Sequence, residues 1–277
     1  MTASVDTIIQ PQIRTIDGLS IRYAESEPRD IDALLLCPWP ESLFAFAGVW
    51  STLARRAHLV AVDLPGFGHS ERRNELLTPS AMGEFVVKIA DAFNLNRPHA
   101  VGPDIGTAAL LFAAARHPNR FSSLTVGTGG ASYPLELGEP LTSWIGAKDL
   151  EEYRRIDPRQ IVAGALSNIT PSNPLPAEIR EDYLSAYDGD RFVESMRYVR
   201  AYPKELPILA KLLPTIETPV LLITGSRDTA VPPSNAEYLH ARLPNSRLEI
   251  VDTAHFVWED NPPLYASLVD SWWSKHS

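Results

Sequence analysis

Asp104 stands between two glycines in GPDIG (102–106), after the apolar run HAVG and before IGTAALLFAAARHP, an Ala-rich segment stopped by Pro118. Strand, tight turn and helix follow one another, with the acid at the turn. A carboxylate there can cap the helix by accepting main-chain N–H bonds. It can also do chemistry. A serine hydroxyl must lose a proton before it attacks, whereas a carboxylate with an ordinary pKa of about 3.9 is already anionic at neutral pH and can displace a leaving group from saturated carbon. An acid at this point therefore suits transfer of an alkyl group better than transfer of an acyl group. Two more residues follow in an informative order: Asp228 in TGSRDTAVPP, after a later apolar run, and His255 in DTAHFVWED, near the end of the chain.

The elements that must position these residues alternate. LSIRYAES (19–26) has the period of a half-buried strand, and ALLLC (33–37) and HLVAVDL (58–64) read as buried parallel strands. SAMGEFVVKIADAFNL has apolar residues at helical spacing, and FSSLTVGTGG is a further strand. The alternation then stops over a stretch rich in Pro, Tyr, Arg and Glu, 133–213, which is expected to be a helical insertion. Proline-rich pieces within it, such as TPSNPLPAE, are turn candidates. The pattern resumes with PVLLITGSRD, SNAEYLHARLP, SRLEIVD and a last helix, PPLYASLVDSWWSK. The expected organisation is an α/β core, 1–132 and 214–277, with a mostly parallel sheet flanked by helices and the 133–213 segment inserted.

Composition bounds the rest. With 277 residues, 44% hydrophobic and 21% charged, the chain has an ordinary globular composition and length for one large domain with an excursion. A net charge of -9 argues against nucleic acid as a partner. No apolar stretch approaches the length of a membrane span, and MTASVDTIIQPQ lacks the basic and apolar regions of a signal peptide, so a cytoplasmic protein without a membrane partner is expected. A single cysteine, Cys37 in LLLCPWP, excludes an internal disulfide and a multi-cysteine metal site and reads as a packed thiol. Neither a cofactor nor a metal is expected.

Acid, acid and histidine in this order make the chain resemble the α/β-hydrolase fold over essentially its whole length. GPDIG resembles the nucleophile elbow, which implies that Asp104 is the nucleophile. TGSRDTAVPP resembles the acid segment, G-x-x-D-x-x-x-P, which implies that Asp228 orients an imidazole. DTAHFVWED resembles the histidine loop, commonly Gly-His-Phe, with Ala254 in the glycine position, which implies His255 as the base. DLPGFGHS (63–70) is a further hallmark, assigned to loop shape, with His69 structural.

LLLCPWPESLFAFAGVW resembles the oxyanion segment His-Gly-aromatic-Pro-Glu-Ser of epoxide hydrolases and related dehalogenases, with Cys37-Pro38 in place of His-Gly. Pro38 has no N–H, so the implied oxyanion donors are the main-chain N–H groups of Trp39 and Ile105. Pro40 keeps the turn, a cis bond being one means.

The resemblance implies a covalent Asp104 ester, hydrolysed by a water that His255 activates. Haloalkane dehalogenases usually carry a tryptophan after the nucleophile and fluoroacetate-type enzymes carry arginines, where this chain has Ile105, Gly106, Thr107 and Ala108. Epoxide hydrolases protonate the leaving oxygen with two cap tyrosines, which implies Tyr153, 49 residues after Asp104, and Tyr198, 30 before Asp228, with Tyr202 a close competitor. These rings could equally pack in the insertion. Trp39, Trp144, Tyr202 and Phe256 are candidates to line an apolar pocket.

The expectation is a cofactor-independent hydrolase of the epoxide hydrolase type, with a small hydrophobic epoxide or organohalide as substrate and water as co-substrate, monomeric or homodimeric. The alternatives are a haloalkane or haloacid dehalogenase, and a non-catalytic binder on the same fold. An esterase would require a labile anhydride at Asp104.

Overall fold

The computed structural model describes residues 9–167 and 174–276. Eight strands form one sheet: β1 (Gln12–Ile16), β2 (Leu19–Glu25), β3 (Asp32–Leu36), β4 (His58–Val62), β5 (His99–Pro103), β6 (Ser123–Gly127), β7 (Val220–Gly225) and β8 (Ser246–Val251). Their order is β1-β2-β4-β3-β5-β6-β7-β8. From β4 to β8 the pairing is parallel, in registers such as Val101↔Thr125 and Gly225↔Val251, while β1 and β2 run antiparallel at one edge. Every residue of β5, β6 and β7 is buried, as apolar strands covered on both faces require.

The core helices are α1 (Ala47–Leu53), α2 (Pro79–Ala92) and α3 (Ile105–Arg116). Six more, α4 (Leu141–Gly146), α5 (Pro158–Leu166), α6 (Ala177–Ala186), α7 (Arg191–Ser195), α8 (Arg197–Arg200) and α9 (Tyr202–Leu212), all lie between β6 and β7. The chain closes with α10 (Ser234–His240), α11 (Val257–Asp260) and α12 (Pro262–His276). α2 packs on α3, and α1 on α12. Thr78 starts α2 by accepting the Ala81 N–H, with Pro79 in the first turn. Of TPSNPLPAE, the residues before Pro174 lie outside the described residues. Among the described residues no helix is long and apolar enough to cross a membrane.

The inserted helices are tied to the core at one corner. Arg22 on β2 makes a bidentate pair with Asp182 of α6, at 2.7 and 3.1 Å, and Ser42 Oγ donates to the same carboxylate at 2.6 Å. Tyr187 donates to the Glu41 carbonyl at 3.0 Å and accepts from the Gly68 N–H at 3.2 Å. Burial raises the pKa of Asp182, but His69, Arg22 and Ser42 outweigh it and hold the carboxyl down at about 2. This junction orders the loop after β3, where the first donor of the site lies.

Candidate active site

Trp39 follows β3, Asp104 follows β5, Asp228 follows β7 and His255 follows β8, so all four gather at the carboxyl ends of parallel strands. The strand order reverses between β3 and β5, which opens a crevice there. The N–H of Asp104 donates to the Gly127 carbonyl at 2.9 Å and its carbonyl accepts the Thr107 N–H at 3.0 Å, pinning the turn. Asp104 has φ 52 and ψ -120, a conformation that costs a non-glycine residue about 1–3 kcal/mol and that clusters at functional turns.

The elbow glycines differ in purpose. A Cβ on Gly102 would lie 2.6 Å from the Leu110 side chain and 3.1 Å from the Gly106 backbone, whereas one on Gly106 would meet Leu36 at an ordinary 3.5 Å. Close packing of strand on helix thus requires Gly102 and not Gly106. A third glycine, Gly129, is the tightest of the three, since a Cβ there would lie 2.2 Å from the Asp104 carbonyl oxygen.

Asp104 makes no side-chain capping bond to its helix. Oδ2 instead accepts the Trp39 main-chain N–H at 2.7 Å. Oδ1 lies 3.9 Å from Nε2 of His255, too far for a hydrogen bond and near enough for electrostatic contact. Nδ1 of His255 meets Asp228 Oδ2 at 2.7 Å. The other Asp228 oxygen accepts the N–H groups of Ala230 and Val231, at 3.0 and 2.9 Å, which fixes the carboxylate from behind. Phe256 stands edge-on to the imidazole at 4.9 Å and limits its rotation.

Burial raises the Asp104 pKa to about 6, against the opposing pull of His255 and of the Trp39 and Ile105 N–H groups. The carboxylate remains mainly anionic at pH 7 while being poorly solvated. Burial lowers the pKa of His255, but Asp228 and Asp104 outweigh it and the result lies above the usual histidine value.

A cavity of about 300 Å³ opens above Asp104. Trp39, Pro40, Ala230, His255 and Phe256 line it from the core, and Pro140, Leu141, Trp144, Gln160, Ile161, Gly164, Ala165 and Phe192 from the inserted helices. Trp39 stacks on Phe192 with centroids 5.2 Å apart and meets Trp144 edge-on at 5.4 Å. The wall is mostly apolar, with the Gln160 amide its polar side chain from the inserted helices, and the indole N–H of Trp39 has no hydrogen-bond partner among the described residues.

Of the residues expected in the site, Asp104, Asp228, His255, Trp39, Ile105, Trp144 and Phe256 come together. Tyr153, Tyr198 and Tyr202 do not line the cavity. The Tyr198 hydroxyl donates to the Ile105 carbonyl at 2.8 Å and its ring packs edge-on against Tyr202. Tyr202 in turn covers Gly130. Both rings brace the Asp104 turn from behind. Tyr153 sits in a single turn of 3-10 helix before α5, beside Glu152. Cys37 is a packed thiol that accepts the Leu64 N–H at 3.2 Å, with burial raising its pKa well above the usual value.

Reasoning from sequence missed Phe192 and the α5 residues Gln160, Ile161, Gly164 and Ala165. Phe192, in DRFVES, had no distinguishing signal. The apolar face of RQIVAGAL was visible, but not that it faces Asp104.

Residues 32–262 match the family of alpha/beta hydrolase fold proteins, and the chain belongs to that family. It is 26% identical over 258 residues to the uncharacterized hydrolase YugF of Bacillus subtilis, covering 90% of this chain and 93% of that one. It is 27% identical over 245 residues to a pimeloyl-[acyl-carrier protein] methyl ester esterase of Neisseria meningitidis, covering 84% and 74%. Among solved structures, the epoxide hydrolase CorEH superposes with a TM-score of 0.78 at 17% identity, covering 96% of this chain and 99% of that one, a likeness of fold alone. The protein is thus a hydrolase of this superfamily, with an apolar cavity over an acid, histidine and acid.

Proposed function

We propose that the protein is a cofactor-independent hydrolase that displaces a leaving group from saturated carbon through a covalent ester on Asp104, with halide the leaving group its cavity suits best. One observation carries the reading: a desolvated carboxylate, with one oxygen on the Trp39 N–H and the other facing His255, lies at the floor of an apolar cavity. Oδ1 attacks the substrate carbon, the carbon–leaving group bond breaks, and its electron pair departs with the leaving group. His255 then takes a proton from water as that water adds to the aspartyl carbonyl carbon. The Trp39 and Ile105 N–H groups hold the resulting oxyanion on Oδ2. Collapse expels the alcohol, which takes the proton back from His255, and Asp104 is regenerated. The inserted helices act as a cap that supplies the outer cavity wall, and the triad is Asp104, His255 and Asp228.

A halide leaves without a proton, so the apolar wall over Asp104, which no tyrosine hydroxyl lines, need supply no acid. A departing alkoxide needs an acid. Oxirane opening is the second reading, favoured by the Tyr198 hydroxyl, which lies one residue behind the nucleophile on the Ile105 carbonyl and feels the Asp104 charge. It would require that hydroxyl to leave its carbonyl and reach the cavity. Acyl transfer is disfavoured, because it would leave an anhydride on Asp104.

The test is a panel of short haloalkanes, haloacids, aliphatic and styrene-type epoxides and simple esters, followed by halide release and product analysis. Halide with alcohol is expected, diol from epoxides would select the second reading, and turnover confined to esters would contradict the proposal.

A further inference from the structure

Glu41 is fully buried two residues after Trp39, in the loop that supplies the oxyanion donor. Oε2 accepts the Trp258 indole N–H at 2.8 Å, while Oε1 has no hydrogen-bond partner among the described residues. A second acid, Glu259, follows Trp258 on α11, is 7% exposed, and accepts the Tyr183 hydroxyl of α6 at 2.8 Å. The two buried carboxyls therefore sit where three pieces join, the loop after β3, the turn that follows His255 and the inserted helices, near enough for Glu259 to act on the Glu41 charge. The charges that face Glu41 are those of Glu259 and Asp260 on α11 and of Asp104 at the elbow. Cys37 and Tyr183, both buried, are the other titratable groups that feel its charge.

One indole donor cannot support a buried carboxylate beside three acids. Burial first, and then the charge of Glu259, push the Glu41 carboxyl well above its usual range. Burial takes Glu259 to about 8.

We propose that Glu41 is a positioning residue that works as a neutral acid: buried near Glu259, it stays protonated at neutral pH, which locks the Trp39 loop to the His255 turn and, through Glu259 and Tyr183, to α6. Its catalytic consequence rests on the Asp104 reading, but the proton does not. Trp258 links the two sides, because its ring accompanies His255 at 6.4 Å while its N–H is held by Glu41. Ionising both carboxyls at alkaline pH would set them against each other and against Asp104, and the oxyanion donor would lose its register with the nucleophile.

Infrared difference spectra and pH profiles of the whole protein, with E41Q and E41L, test this. The wild type at pH 7 should show the carbonyl stretch of protonated, buried carboxylic acids, sensitive to heavy water, with one component lost in E41Q and the Glu259 component retained. The alkaline fall in Tm should move to higher pH in E41Q, and so should the alkaline arm of kcat/KM for any substrate turned over. E41L, of similar bulk and without hydrogen-bonding capacity, should lower kcat at all pH values by roughly a hundredfold, the loss expected of a misplaced donor. A wild-type band of the same intensity as that of E41Q, or an E41Q alkaline fall in Tm that coincides with the wild-type one, would overturn the proposal. The band and Tm decide it without a substrate, so failure to find turnover would count against the Asp104 reading alone.

Discussion

The Trp39 main-chain N–H donates to Asp104 Oδ2 at 2.7 Å, across 65 residues of sequence. Pro38 has no N–H to offer, and it is the N–H of the next residue, Trp39, that meets the carboxylate. Cys37 instead packs beneath the loop, where the Leu64 N–H holds its sulfur.

Substituting Asp104 by Asn should abolish turnover and stabilise the fold. A carboxyl whose folded pKa is raised from 3.8 to about 6 makes folding progressively less favourable as pH rises between those two values. The neutral amide escapes that loss, so D104N should exceed the wild type by up to about 3 kcal/mol above pH 6 and converge with it below pH 3.8. Denaturant unfolding at pH 3.5 and pH 7 checks this, and equal stabilities at pH 7 would show that Asp104 bears no desolvation strain.

The acid arm of kcat/KM should have its midpoint at about pH 6, because only the ionised form of Asp104 can displace a leaving group. Esterification also removes the Asp104 charge, one of the contributions that raise the His255 pKa. On the proposed mechanism, forming the ester would therefore prepare the imidazole to act as a base. NMR titration should find a lower His255 pKa in D104N than in the wild type. An unchanged value would mean that the two groups are not coupled across their 3.9 Å separation.

Y198F separates the two leaving-group readings. Losing the hydroxyl's bond to the Ile105 carbonyl should cost about 1 kcal/mol of stability while halide release persists. Were Tyr198 the acid for an oxirane, the same change would lower diol formation by roughly a hundredfold or more. Comparing Y198F with Y153F on both substrate types shows whether either hydroxyl enters the chemistry.

The parts that were legible in the sequence are those in which one residue type answers one local demand. Asp104 between glycines marks a strained turn, and LLITG and LEIVD mark the strands that deliver Asp228 and His255. Residues 12–16, QIRTI, escaped notice because β1 is mostly exposed and its strand character comes from pairing with β2. Position along the insertion singles out Tyr153, Tyr198 and Tyr202 but cannot say which way a short helix faces. Tyr198 and Tyr202 turn toward α3 and Gly130, while Phe192 and the small residues of α5 face the cavity. Glu41 was visible as the one acid in the apolar run LLLCPWPESLFAF. Its partner, Glu259, lies 218 residues away, and proximity of that kind is created only by the fold.

The most direct measurement is a single turnover in heavy-oxygen water, with enzyme in excess over a substrate from the panel, followed by mass analysis of the peptide carrying residue 104. Attack of water on the aspartyl carbonyl should place heavy oxygen in the Asp104 carboxylate, and the first-turnover alcohol should carry none. Label in the product alone, with Asp104 unlabelled, would mean that water attacks the substrate directly and that no ester forms on Asp104.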